Sequence, residues 1–278
     1  MQTVLTIAGF DPSSGAGVTA DLMVFAAHGL FGTACITALT VQSTTGVKST
    51  HPVESRIVAE TLSCLHDDLR PVGVKIGMLY SAANLSVVCD YLEILNRKDS
   101  HSVRIPRIPI VLDPVIRSTS GRELLEPGGV ILLRERLLGR VDWVTPNLEE
   151  LAALAGGSVA RSEDIPEACR RLQAETGKDE DGRQLGILAT GGHLEPPNDF
   201  LLTPDGEGLW IPGERVNTGS THGTGCALSS AFLGRLVRGE TPEQAAAGAK
   251  RYVTGALKAA TPIGHGHGPM KYLWTLSQ

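Results

Sequence analysis

The segment Asn217-Thr-Gly-Ser-Thr-His-Gly-Thr-Gly-Cys-Ala227 runs straight into an apolar helical pattern at Leu228, Phe232 and Leu236. Gly223, Thr224 and Gly225 can curl so that consecutive backbone N–H groups point inward at a helix N-terminus, where the helix dipole favours negative charge. Such a cradle stabilises a phosphoryl group in transfer. Cys226 would open the helix, in a field that lowers a thiol pKa and makes a thiolate available. The same residues also suit a buried structural cysteine, and spacing leaves both open.

A second pair of candidates is Asn147 and Glu150, in Asn147-Leu-Glu-Glu150 after Thr145-Pro146. As structure, this is an Asn cap with Glu at the third helical position. As chemistry, a carboxylate at the carboxyl end of a central strand can hold a hydrated Mg2+, which keeps several waters and needs only one or two such ligands. The two roles are compatible.

The loop Gly15-Ala16-Gly17-Val18-Thr19-Ala20 formally matches the dinucleotide pattern GxGxxG/A. It fails in detail, because six residues separate Ala8 from Gly15 and no Asp or Glu lies near positions 35–45 to bind a ribose. NAD is therefore excluded, and the loop is left as a tight βα connection or a close approach to a small ligand. Asp21, just inside the following helix, reads as a partner of the positive helix end. GxxxxGK[ST] is absent, so any ATP phosphates must be held another way. His265 and His267 alternate with glycines, and two His without further ligands make a poor zinc site.

Elements must bring these segments together. Apolar, β-rich runs at 3–8, 32–41, 72–76, 110–112, 141–144 and 185–189 alternate with helical patterns at 16–28, 57–65, 85–95, from 148, 166–175, 226–237 and 243–260. That rhythm predicts an α/β fold, a central, mainly parallel β-sheet flanked by helices on both faces, with ligands at the carboxyl ends of the strands. No composition break marks a linker, so residues 1–278 read as a single domain, and the charged stretch 176–184 as a solvated loop.

With 25 Lys+Arg against 30 Asp+Glu in 278 residues, the net charge of −5 argues against nucleic acid or an anionic membrane as partner. No apolar run reaches membrane-span length. Five scattered cysteines and an N-terminus without a basic, apolar leader fit a cytoplasmic protein. Glycine is the excess, at 32 residues, which turns attention to the loops.

Taken in order, LTIAGFDPSSGAGVTADL, ITALTVQSTTGV, VKIGML, IVLDPVIRSTSG, VTPNLEE, TGGHL, NTGSTHGTGCALSSA and GHGHGP resemble the hydroxymethylpyrimidine/phosphomethylpyrimidine kinase family of thiamine biosynthesis, within the ribokinase-like superfamily. The resemblance implies a single-domain ribokinase-like fold and ATP- and Mg2+-dependent phosphorylation of 4-amino-5-hydroxymethyl-2-methylpyrimidine (HMP) and of its monophosphate. It implies Cys226 as the base, with Gly223, Thr224 and Gly225 as the anion hole and Glu150 toward the metal. It places the pyrimidine against Gln42, with Ala16, Gly17, Asp21, Met78 and Val115 around it. Nucleotide contacts would fall to Asp113, Asn147, Thr190, Gly192 and Arg117. Small-molecule acceptor and ATP are the implied partners, and a homodimer is compatible with it.

Two positions depart from the family pattern. A lysine is usual before Ser120-Gly121, where this chain has Ile116-Arg-Ser-Thr119, leaving Arg117 as the replacement charge, and a second is usual where Thr190 stands. Losing these cations bears most on the second phosphorylation, whose acceptor carries an extra anion. Two further alternatives are a pyridoxine or pyridoxal kinase of the same fold and a non-catalytic pyrimidine-binding protein.

Overall fold

The computed structural model describes residues 1–96, 107–118 and 121–276. Nine strands form one sheet: β1 (Thr3–Phe10), β2 (Phe31–Ser43), β3 (Gly46–Pro52), β4 (Val74–Ile76), β5 (Ile110–Leu112), β6 (Trp143–Val144), β7 (Gly186–Ala189), β8 (Asp199–Leu202) and β9 (Gly208–Ile211), in the order β3-β2-β1-β4-β5-β6-β7-β8-β9. From β2 to β7 neighbouring strands pair in parallel, while β3 at one end and β8 and β9 at the other are antiparallel. The parallel strands are short and buried on both faces, which is why they read as continuous apolar runs.

Helices cover the two faces. Helices α2 (Ser55–Asp68), α3 (Ala82–Leu95), α5 (Leu148–Ala155) and α6 (Ile165–Thr176) pack Leu62, Leu92, Leu154 and Leu172 against Leu5, Ile7, Val74, Ile76 and Leu112. On the other face, α1 (Gly17–Ala27), α7 (Thr224–Val237) and α8 (Pro242–Lys258) pack Phe25, Phe232 and Tyr252 against Val4, Val111 and Leu188. A short α4 (Gly129–Leu132) continues through a widened and then a tightened turn as far as Arg140.

Three antiparallel strands depart from the sequence expectation. The predicted run 32–41 continues to Ser43 and turns back as β3, whose residues are mostly half-buried or exposed and carry no apolar pattern. Strands β8 and β9 form a hairpin at the far end, joined through 203–207. Among the described residues, no helix is long and apolar enough to cross a membrane.

Candidate active site

The carboxyl ends of five parallel strands deliver the predicted segments to one edge of the sheet. The loop after β1 carries Asp11 to Gly17, β4 leads into Met78, β5 into Asp113 and Val115, β6 into Asn147, and β7 into Thr190. Helix α7 begins at the same edge. Gly223 precedes it with φ +78, and no side chain caps the helix start. The first-turn N–H groups of Thr224, Gly225 and Cys226 therefore have no intrahelical acceptor and can serve an anion.

Close backbone contact forces glycine at two of these positions. A Cβ on Gly223 would lie 1.9 Å from the carbonyl oxygen of Gly15, and one on Gly17, at φ +62, would lie 2.3 Å from that of Gly9. Gly225 by contrast faces open space. Tyr272, buried near the C-terminus, donates its hydroxyl to the carbonyls of Gly15 and His222 and so ties the two glycine loops together.

The Gly17 backbone, Asp113, Asp21 and Lys75 surround the Cys226 thiol closely enough to act on its charge. The cysteine as a residue is partly exposed. Burial pushes the thiol up to about 12, with Lys75 acting against the rise and Asp113 and Asp21 adding to it. This corrects the expectation of a lowered thiol pKa, since desolvation of the sulfur outweighs the helix field.

Asp21 is likewise not where spacing put it. It lies past the first turn of α1, fully buried, with Oδ2 accepting from Thr6 Oγ1 at 2.6 Å and Lys75 Nζ at 3.0 Å and Oδ1 accepting from Ser230 Oγ at 2.7 Å. Its carboxylate is satisfied by three buried donors and is not a partner for the helix end.

The acceptor side is built by β2 and its neighbours. Gln42 Nε2 lies 2.9 Å from His222 Nε2, and the same imidazole nitrogen is 2.7 Å from Asp11 Oδ2. Met78 and Val115 share a small apolar cluster with Ala38 and Leu124, and a Cβ on Gly9 would sit 3.0 Å from Met78 Sδ. Ala16 immediately precedes α1. An open hollow of about 430 Å³ at the tip of the β2–β3 turn is lined by Thr45, Gly46, Val47, Lys48, Gly121 and Arg122.

On the opposite side of the cluster, Asn147 caps α5: its side chain accepts from the Glu150 N–H at 3.0 Å, and Glu150 Oε2 accepts the Asn147 N–H at 3.0 Å. Glu150 also receives the Ile116 N–H at 3.4 Å. Burial and the nearby Asp113 push its carboxyl up to about 8. Asp113 is itself raised by burial, against the pull of Lys75. Asn147 bridges Thr190 in parallel fashion, and the Thr190 N–H donates to Pro146 at 2.8 Å. The loop after Thr190 is fixed by Asp199, which accepts the Gly191 N–H at 2.9 Å and Lys250 at 2.7 Å. Gly192 presents an open face. Arg117 is exposed and pairs with Glu123 at 3.6 Å. Thr119 lies outside the described residues. His267 contacts Thr221 at 3.2 Å, and the glycines around His265 pack on Thr44.

Sequence reasoning missed Asp11, Lys75, His222, Ser229, Ser230 and Tyr272. Lys75 had a signal: a lysine inside an apolar parallel strand must find a buried counter-charge. Another hollow, of about 400 Å³, lies at the amino ends of β5, β6 and β7, where Arg107 is already paired with Asp142 at 2.9 Å and with Asp179.

Comparisons with known proteins place the chain in a family. The family model described as "Phosphomethylpyrimidine kinase" matches residues 11–271. The hydroxymethylpyrimidine/phosphomethylpyrimidine kinase of Haemophilus influenzae is 35% identical over 100% of this chain and 98% of its own length, and that of Escherichia coli 40% identical over 96% of each. Among solved structures, phosphomethylpyrimidine kinase from Clostridium difficile aligns with TM-score 0.76 and 29% identity, covering 92% of this chain and all of that one. A Bacillus subtilis pyridoxal kinase solved as an ADP complex aligns with TM-score 0.84 and 25% identity over the whole of both chains. On the match over nearly its full length, the chain belongs to the phosphomethylpyrimidine kinase family.

Proposed function

We propose that the protein is an ATP-dependent kinase that phosphorylates the hydroxymethyl group of HMP and then the phosphate of HMP monophosphate. The observation that carries this reading is the convergence, at one sheet edge, of Gln42, Cys226, the uncapped start of α7 and the Asn147–Thr190 pair. Gln42 offers both a donor and an acceptor to a pyrimidine edge, and Met78 and Val115 supply an apolar wall.

In the first transfer the acceptor hydroxyl oxygen forms a bond to the γ-phosphorus of ATP as the bond from that phosphorus to the β–γ bridging oxygen breaks, releasing ADP. The hydroxyl proton passes to Cys226 Sγ, and the developing phosphoryl charge meets the N–H groups of Thr224, Gly225 and Cys226. The thiol must first lose its own proton, to water or to Asp113, because the thiolate is a minor form in the resting protein.

The donor set near the phosphates suits a hydrated Mg2+, since Asp113 and Glu150 bring two buried carboxylates together and such an ion keeps most of its waters. When bound, the ion would neutralise phosphate charge. Thr190, Gly192 and Asn147 would border the nucleotide, and the exposed Arg117 is the nearest replacement for a missing lysine. A pyridoxal-directed activity is the second reading, supported by the likeness to the Bacillus subtilis enzyme. The test is ADP release with HMP, HMP monophosphate and pyridoxal assayed separately. A kcat/KM for HMP at least tenfold above that for pyridoxal is expected, and the reverse order would overturn the assignment.

A further inference from the structure

His222 is held on three sides apart from its ring nitrogen. Its N–H donates to the Gly268 carbonyl at 3.1 Å, its own carbonyl accepts from the Tyr272 hydroxyl at 3.3 Å, and the ring lies so close to Gly15 that a Cβ there would be 2.1 Å from Cδ2. Gln42 arrives from the end of β2 at an irregularity in the pairing with β3, between Val41 and Gln42, of the kind that re-aims a side chain. Asp11 and the Gln42 amide then meet the same ring atom, Nε2, at 2.7 Å and 2.9 Å.

A neutral ring nitrogen offers either one hydrogen or one lone pair. Asp11 decides between them. Its Oδ1 accepts the N–H and the hydroxyl of Ser13 at 2.8 Å and 2.7 Å, while Oδ2 faces the ring. Burial raises this carboxyl, but the bonds from His222 and Ser13 outweigh it, so the group is ionised and can only accept. A lone pair on Nε2 would be repelled at that distance, and Nε2 therefore carries the hydrogen. An amide NH2 at 2.9 Å would then oppose donor to donor. Half a turn of the carboxamide exchanges its oxygen and nitrogen in place and gives the ring hydrogen a second acceptor.

We propose that His222, kept as the Nε2–H tautomer by Asp11, is a positioning residue that turns the Gln42 carboxamide with Oε1 toward the imidazole and thereby sets the in-plane orientation of the pyrimidine. The role rests on the reading of Gln42 as the pyrimidine contact. HMP carries its amino donor between a ring nitrogen acceptor and the carbon that bears the hydroxymethyl group. With Oε1 on the His222 side, the amino group meets it there and the ring nitrogen meets Nε2 of Gln42. The hydroxymethyl group then falls on the side where His222 leads into Gly223 and α7. The opposite amide orientation would send it away from that helix start.

Nitrogen-15 spectra of the ring-labelled wild-type protein without substrate, with His222 assigned through its backbone resonances, read which ring nitrogen bears hydrogen. Hydrogen on Nε2 is expected, and a bare Nε2 overturns the proposal. Steady-state kinetics then compare two variants. His222→Met fills the space without a donor, whereas His222→Gln returns an N–H near the place of Nε2. Loss of one hydrogen bond is worth about fivefold, so kcat/KM for HMP should fall by about that factor or more in His222→Met and stand about threefold or more higher in His222→Gln. A ring that served only as filling would be replaced equally well by either, so a Gln variant no better than the Met variant overturns the role. Failure of the wild-type protein to phosphorylate HMP would sink the acceptor reading alone, and the spectra would still decide where the hydrogen lies.

Discussion

Asp11 and Gln42 meet on a single atom: Nε2 of His222 is 2.7 Å from the Asp11 carboxylate and 2.9 Å from the Gln42 amide nitrogen. The imidazole thus links the loop after β1, the end of β2 and the approach to α7. Nε2 carries a hydrogen when it donates to Asp11 and a free lone pair when it accepts from the Gln42 amide, so the imidazole tautomer decides which of the two neighbours it binds. Replacing His222 with Ala is expected to raise KM for HMP at least fivefold while changing KM for ATP less than twofold, measured by steady-state kinetics.

The same pair predicts an acid limb. Burial pushes Asp11 upward, but bonds from His222 and Ser13 outweigh it and hold the carboxyl below its ordinary value of 3.8. A depressed carboxyl contributes stability above its unfolded pKa, and loses it as pH falls through the folded value. The Tm difference between wild type and Asp11→Asn should therefore be full at pH 6 and shrink below about pH 4. A constant difference across that range would contradict the pairing.

Two glycines of one loop should separate folding from rate. Gly223→Ala forces a side chain into a left-handed backbone and against the Gly15 carbonyl, and the conformation alone costs about 1–2 kcal/mol. Its Tm should fall by several degrees. Gly225→Ala enters open space, so its Tm should stay within about a degree while kcat drops as the methyl crowds the anion cradle. Thermal denaturation beside kcat checks both.

Cys226 gives the clearest pH signature. Because its thiol is pushed up to about 12, the rate of its alkylation should climb with pH through 10 without a plateau. A plateau near neutrality would mean that a stable thiolate exists at rest.

Much of the fold was legible because the parallel strands are buried on both faces and so announce themselves as apolar runs such as 110–112. Strand β3 was not, since Gly46 to Pro52 is polar, largely accessible and held by pairing with β2 rather than by a core. Site segments were legible where local geometry dictates the residue, as with Gly17, Gly223 and the Asn147–Glu150 cap. What depends on tertiary burial was hidden. The helix field at Cys226 is visible in sequence, whereas the stronger desolvation is not, and Asp21 reveals its role only when Lys75 arrives from β4.

The central claim is that Cys226 takes the proton of the acceptor hydroxyl during transfer from ATP. Comparison of kcat for HMP between the wild-type protein and Cys226→Ala, with ATP affinity measured by calorimetry on both, tests it most directly. The account predicts a fall in kcat of about 10²-fold or more with ATP binding within twofold. Turnover near the wild-type rate in Cys226→Ala would contradict it.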